Sequence, residues 1–189
     1  MNLDSTIREA HTALNSYSDS EDINAYTVCM LFIIILNLVV IGAITIKFGF
    51  HNRYVAFLAT ILIALIYYRW KMGQVTEKNL KDNSYTNIDP NDKRDYAIGL
   101  LRYLSSGFEV KIMRVSLVRT LYVLLTPLIA VGVYDFCFDT MSLKRLVISL
   151  GVLLPISYLM WNSFFKSDLE VFSMHSRSFA AQADSIAKA

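Results

Sequence analysis

The 189 residues include only two cysteines, three prolines, three histidines and seven glycines, and charged residues make up just 18%. His11, His51 and His175 fall in three separate polar segments, so no histidine pair at helical spacing exists to hold a metal. A Gly-rich phosphate loop, a Gly-x-Ser-x-Gly elbow and the Arg-to-His spacing of small helical nucleases are all missing. These absences remove the residue patterns for nucleotide cradling, serine-hydrolase chemistry and helix-borne zinc. No catalytic residue, metal or cofactor is expected. There is also no Asn-x-Ser/Thr sequon to mark an outer surface.

What the chain has in excess is apolar sequence, 54% of it, gathered in four blocks. Val28 to Ile46 is 19 residues without a charge and Leu146 to Phe165 is 20, each close to the length that crosses a bilayer core as a helix. Tyr54 to Tyr68 is shorter, and Val115 to Tyr134 is interrupted by Arg119. The first block follows an acidic segment rather than a basic one, so it is expected to be a retained span and not a signal peptide. The expected fold is an all-α integral membrane protein. Four transmembrane helices in two hairpins alternate with three amphipathic cytoplasmic helical segments.

Lysine and arginine decide the orientation. The N-terminus, residues 69–114 and the C-terminal tail hold 13 of them, against four (Lys47, Arg53, Lys144 and Arg145) in the two short connections. The positive-inside bias therefore places both termini and the middle segment in the cytoplasm, with the protein in the plasma or inner membrane. The resulting division is 1–25, an N-terminal helix and linker; 26–68, the first hairpin; 69–114, a cytoplasmic loop and helix; 115–165, the second hairpin; and 166–189, a C-terminal helix. Cys29 and Cys137 then lie at opposite ends of spans, roughly 30 Å apart, which excludes an internal disulfide. Tyr67, Tyr68 and Trp70 sit where amphipathic rings favour a membrane interface.

Each of the three polar segments carries an apolar stripe. Leu3, Ile7, Ala10, Leu14 and Tyr17 alternate by four and three, and the polar run from Asn15 to Asp22 ends that helix. After Trp70 the chain reads as a loop or a helical extension. A second helix is expected from Asp89 as its cap with Pro90 at the first turn. Its apolar face is Ala97, Leu100, Leu101, Leu104, Phe108, Ile112 and Val115, and Arg102, Ser105, Ser106 and Glu109 lie opposite. Gly99 and Gly107 each weaken it by roughly 1 kcal/mol. In the tail, Phe165, Leu169, Phe172, Ser176, Phe179, Ala183 and Ile186 keep the seam of a narrow helical contact. Such stripes need partners, which can be one another, a second copy, another protein or the headgroups.

The stretch Asn91 to Asp95, NDKRD, resembles the first metal-diphosphate motif of membrane prenyltransferases, which implies carboxylates holding Mg²⁺ on a diphosphate. The likeness covers five residues. Gly99 stands where that motif has a further carboxylate, a second aspartate-rich motif is missing, and helix capping explains the same residues. Residues 69–114 carry nine basic and six acidic side chains, a balance that fits inner-leaflet contact and not specific nucleic-acid binding.

Within the spans the polar or helix-bending candidates are Asn37, Arg119, Pro127 and Pro155. Asn37 is expected to bond a neighbouring helix, and Arg119 to reach back to the headgroups. Leu169, Phe172 and Phe179 form the expected interaction seam of the tail. The reading is a non-catalytic assembly or regulatory subunit working through its cytoplasmic helices, with the bilayer and a second copy or another protein as partners. The alternative is a homo-oligomeric channel or membrane-permeabilising pore, to which a midplane asparagine and two prolines would lend a lining and a bend.

Overall fold

With so few helix breakers the backbone has little reason to leave helical geometry. The computed structural model describes residues 3–18, 22–49, 52–82, 85, 88–89, 91–138 and 142–188, and these form five α-helices and no strand. They are α1 (Leu3–Ser18), α2 (Asp22–Phe48), α3 (Asn52–Asp82), α4 (Lys93–Cys137) and α5 (Leu143–Lys188). The last four are long and apolar enough to cross a membrane.

Local chemistry sets the ends. Gly49 terminates α2 at φ 78°, where its N–H donates to Thr45 O at 2.9 Å, a left-handed cap that glycine adopts without a Cβ clash. Ser142 caps α5, its Oγ accepting from Arg145 N at 3.4 Å. The start of α4 corrects the expectation. Asp89 shapes a preceding turn by accepting Asn91 N at 2.9 Å, while the cap is Asp92, whose carboxylate accepts Asp95 N at 3.3 Å. Pro90, His51 and residues 19–21 of the predicted break lie outside the described residues, as does the Tyr17 side chain. The polar stretch after Trp70 is a helical extension, since α3 continues to Asp82. Neither Pro127 nor Pro155 ends its helix.

The chain forms two compact units. Unit 1 comprises Met1–Ile23, Lys71–Val115 and Ser167–Ala189; unit 2 comprises Asn24–Trp70 and Ser116–Lys166. Unit 1 encloses a core of Ala10 from α1, Ala97, Leu100, Leu101 and Leu104 from α4, and Ala183 and Ile186 from α5. Leu3, Ile7, Ala13 and Leu14 of α1 pack against it. Each buried leucine contributes roughly 1.5–3 kcal/mol. A Cβ at Gly99 would meet Ile88 and Tyr85, so this residue, costly to the isolated helix, lets the segment around Tyr85 lie against α4. Tyr85 then meets the rings of Tyr96 and Tyr103 edge-on at 5.9 and 5.2 Å.

Unit 2 buries Ile33, Ile41 and Ile44 of α2, Tyr54 and Ile61 of α3, Val118, Leu125 and Val131 of α4, and Phe165 of α5. Gly132 brings α4 close to α2, because a Cβ there would meet the side chains of Val40 and Ile44. The outward faces are apolar as well. Ile46 is 89% exposed, Ile66 68% and Leu159 66%.

Candidate functional site

Inside a helix the nearest acceptor for a short polar side chain is the carbonyl four residues back. Unit 2 uses it repeatedly. Thr45 donates to Ile41 O, Thr60 to Ala56 O and Thr120 to Ser116 O, each at 2.8 Å. Asn37 does the same. Its Nδ2 donates to Ile33 O at 2.8 Å, with only 2% of the residue exposed. Asn37 is therefore packed, but its amide bonds its own helix and not a neighbouring one as expected from sequence.

Bonds between helices occur instead where α4 faces α5. Arg119 is half-buried and donates to Asn162 Oδ1 at 2.9 Å, a neutral amide partner. About two turns further along α4, the Trp161 indole N–H donates to Thr126 Oγ1 at 2.9 Å, and its ring meets Tyr122 edge-on at 4.3 Å. Tyr122 donates to the Cys29 carbonyl of α2 at 2.7 Å. Pro127 explains the next contact. Lacking an N–H, it leaves the Val123 carbonyl without its intrahelical donor, and Ser157 of α5 donates to that oxygen at 3.2 Å. Pro127 is buried beside this repair, whereas Pro155 is exposed.

Sequence reasoning missed Asp135. It directly follows the third apolar block, yet it is fully buried and accepts Tyr54 O–H at 2.9 Å. Lys47 of α2 donates to the adjacent Phe136 carbonyl and lies 4.8 Å from the Phe136 ring centroid. The available signal was an acid directly after the apolar block Val115–Tyr134, and a tyrosine, Tyr54, at the start of another apolar block.

In unit 1, Phe172 and Phe179 of the seam face Phe108 of α4. Phe172 is buried, and Leu169 and Phe179 are half-buried. The Phe108 ring lies 6.2 Å from Phe172, stacks on Phe179 at 5.9 Å and stacks on His175 at 5.2 Å. Lys111 is buried with its ammonium 5.5 Å from both the Phe108 and Phe172 centroids. Ser105 and Ser106 overturn the expectation of an outward polar face. Both are buried, because α5 covers that side: Ser105 donates to Ser176 O at 2.9 Å, and Ser106 satisfies itself on Tyr103 O at 2.8 Å. A helix gripped on two sides buries a wider arc than one stripe predicts.

Charged groups close the rim. Arg94 donates to the last carbonyls of α5, Ile186 O at 3.1 Å and Ala187 O at 3.0 Å, where a cation also complements the helix dipole. Lys93 pairs with Asp4 of α1 at 2.8 Å. The Tyr96 hydroxyl lies 3.2 Å from His11 Nε2; burial, and then the neighbouring Tyr85, hold its pKa above the ordinary tyrosine value. The residues of NDKRD thus act as turn, cap and rim contacts. Among the described residues no group of three His, Cys, Asp or Glu side chains is placed to hold a metal ion.

Chemically, both arrangements hold helices together through complementary pairs. No known protein family, curated protein or solved structure matches this chain.

Proposed function

We propose that the chain is a non-catalytic four-span protein of the plasma or inner membrane and acts as an assembly or regulatory subunit through its cytoplasmic helices. On this reading α2 with α3, and the apolar halves of α4 and α5, cross the bilayer as two hairpins. Unit 1 then faces the cytoplasm with both termini, an orientation that the distribution of lysine and arginine supports. Among the described residues, every large apolar side chain left exposed belongs to unit 2 except Val171 and Met174. Lipid accounts for the first set. The second, adjacent on the outward face of α5, is the place where a partner or a second copy would touch unit 1.

The observation that carries a static subunit over a conduit is Asn37. Its side chain is packed and its amide is satisfied on Ile33 O, so the most polar midspan residue of α2 supports packing and not a water path. Reconstitution in liposomes tests this. The protein should conduct no ions, and Asn37→Leu should leave fold and particle mass nearly unchanged, with a loss well under about 2 kcal/mol. A conductance that Asn37→Leu abolishes in a folded protein would replace this reading with the pore. Orientation has its own check. In a Cys29→Ser variant, Cys137 should react with an impermeant thiol reagent from outside intact cells, and labelling only after lysis would reverse the topology.

A further inference from the structure

Arg119 carries a charge for which unit 2 holds no counter-ion. The sequence of that unit contains only two acidic residues, Asp135 and Asp139. Residues 119 to 135 of α4 span roughly 24 Å of helix, and Asp135 accepts from Tyr54. Arg119 forms no ion pair among the described residues, and its hydrogen bond goes to the neutral Asn162. Arginine only donates, so Asn162 must turn its oxygen to the guanidinium and keep its NH2 for another acceptor. Neither that NH2 nor the remaining guanidinium N–H groups have an acceptor among the described residues, and none of them is sealed from the surface. The pair is an accessible, positively charged set of donors with no acceptor left to offer. An uncompensated charge among apolar helices is costly, and its complement is an oxyanion, whose oxygens the planar fork of arginine fits.

The surroundings choose among oxyanions. Tyr158 and Leu159 stand one turn before Asn162 on the same face of α5 and are 51% and 66% exposed, and the exposed Lys166 stands one turn after it. An apolar surface on one side of the donors and a second cation on the other suit a phosphate that carries acyl chains. A free phosphate would leave the apolar surface uncovered. We propose that Arg119 and Asn162 bind the headgroup phosphate of a phospholipid, with an acyl chain along Tyr158 and Leu159. Its place in the inner leaflet rests on the four-span reading above, in which α4 enters and α5 leaves the membrane near residues 115 and 165. The donor set does not depend on that reading.

Native mass spectrometry of the full chain in neutral detergent, titrated with palmitoyl-oleoyl phosphatidylglycerol or the matching diacylglycerol, tests the assignment. An adduct should form with the phospholipid and not with the diacylglycerol, which has the same chains and no phosphate. Arg119→Gln should lower the occupancy about tenfold, the loss expected for charge-assisted hydrogen bonds. Asn162→Asp supplies the missing counter-ion from within the protein, so it should lower the occupancy as much while leaving the protein at least as resistant to heat. Excess inorganic phosphate should not displace the lipid. Reversed labelling of Cys137 with this pattern intact would keep the site and move it to the other leaflet. Equal adducts with diacylglycerol, unchanged occupancy in folded Asn162→Asp, or displacement by inorganic phosphate would each overturn the proposal, the last by giving the site to a soluble anion.

Discussion

Unit 1 and unit 2 are both built on α4, yet they are inside-out relative to each other in what they expose. Unit 1 gathers alanine and leucine into an enclosed core and places Lys93, Arg94 and Arg102 at its rim, Arg102 lying 3.9 Å from Asp184. Unit 2 sets isoleucine, leucine and phenylalanine on its outside and pairs its polar groups inward: Arg119 with Asn162, Trp161 with Thr126, Ser157 with Val123 O, Tyr54 with Asp135. With unit 2 in the bilayer and unit 1 outside it, as proposed, a different force holds each. In water, apolar burial drives helices together and surface ion pairs add little. Where apolar surface is already at home in lipid, close packing and interhelical hydrogen bonds remain to do it.

The sharpest way to break this comparison is to empty the unit 1 core. Leu100→Ala should cost about 2–5 kcal/mol by loss of contacts and a residual cavity, seen as protease sensitivity of residues 93–115. An unchanged digestion pattern would show that the core is not what holds unit 1. A matched pair of charges comes next. Ile156→Arg, on the exposed face of α5 in unit 2, should cost about 2.5–3.5 kcal/mol on membrane insertion if that face meets lipid. Met174→Arg, exposed in unit 1, should stay within about 0.5 kcal/mol. Equal tolerance at both positions would erase the distinction between the units.

Close packing in unit 2 is probed by Gly132→Ala. Its added methyl must displace Val40 and Ile44, for a loss of about 1–3 kcal/mol in a detergent unfolding titration. The smallest effect is expected at Tyr96. Because its pKa is raised in the fold, its contribution is complete below the unfolded value near 10 and is lost as pH rises through the folded one. Tyr96→Phe should flatten that alkaline fall in thermal stability, and an identical fall in the variant would remove Tyr96 as its source.

Much of the architecture was legible in the residues, and particular misses show where legibility ended. The four apolar blocks announced the four long helices, and the apolar stripes at helical spacing announced α1 and the helical polar halves of α4 and α5. Ser105 and Ser106 misled because serine looks like surface until a second helix supplies Ser176 O. Asp135 was overlooked because an acid beside an apolar block looks like its boundary until Tyr54 is found opposite. Pro127 was noticed as a bend, but not as the cause of the Ser157 contact.

By itself, then, the sequence determined that the chain is helical and which stretches are apolar enough to cross a membrane, since hydropathy and backbone preference act over neighbours along one chain. Only the tertiary structure decided that Asn37 bonds its own Ile33 carbonyl, that Arg119 meets Asn162, and that Gly99 and Gly132 mark close approaches. Hydrogen bonds and steric fit depend on direction and on a few tenths of an ångström. The interhelical partners stand 34 to 93 positions apart, and no local pattern records which of them will stand opposite.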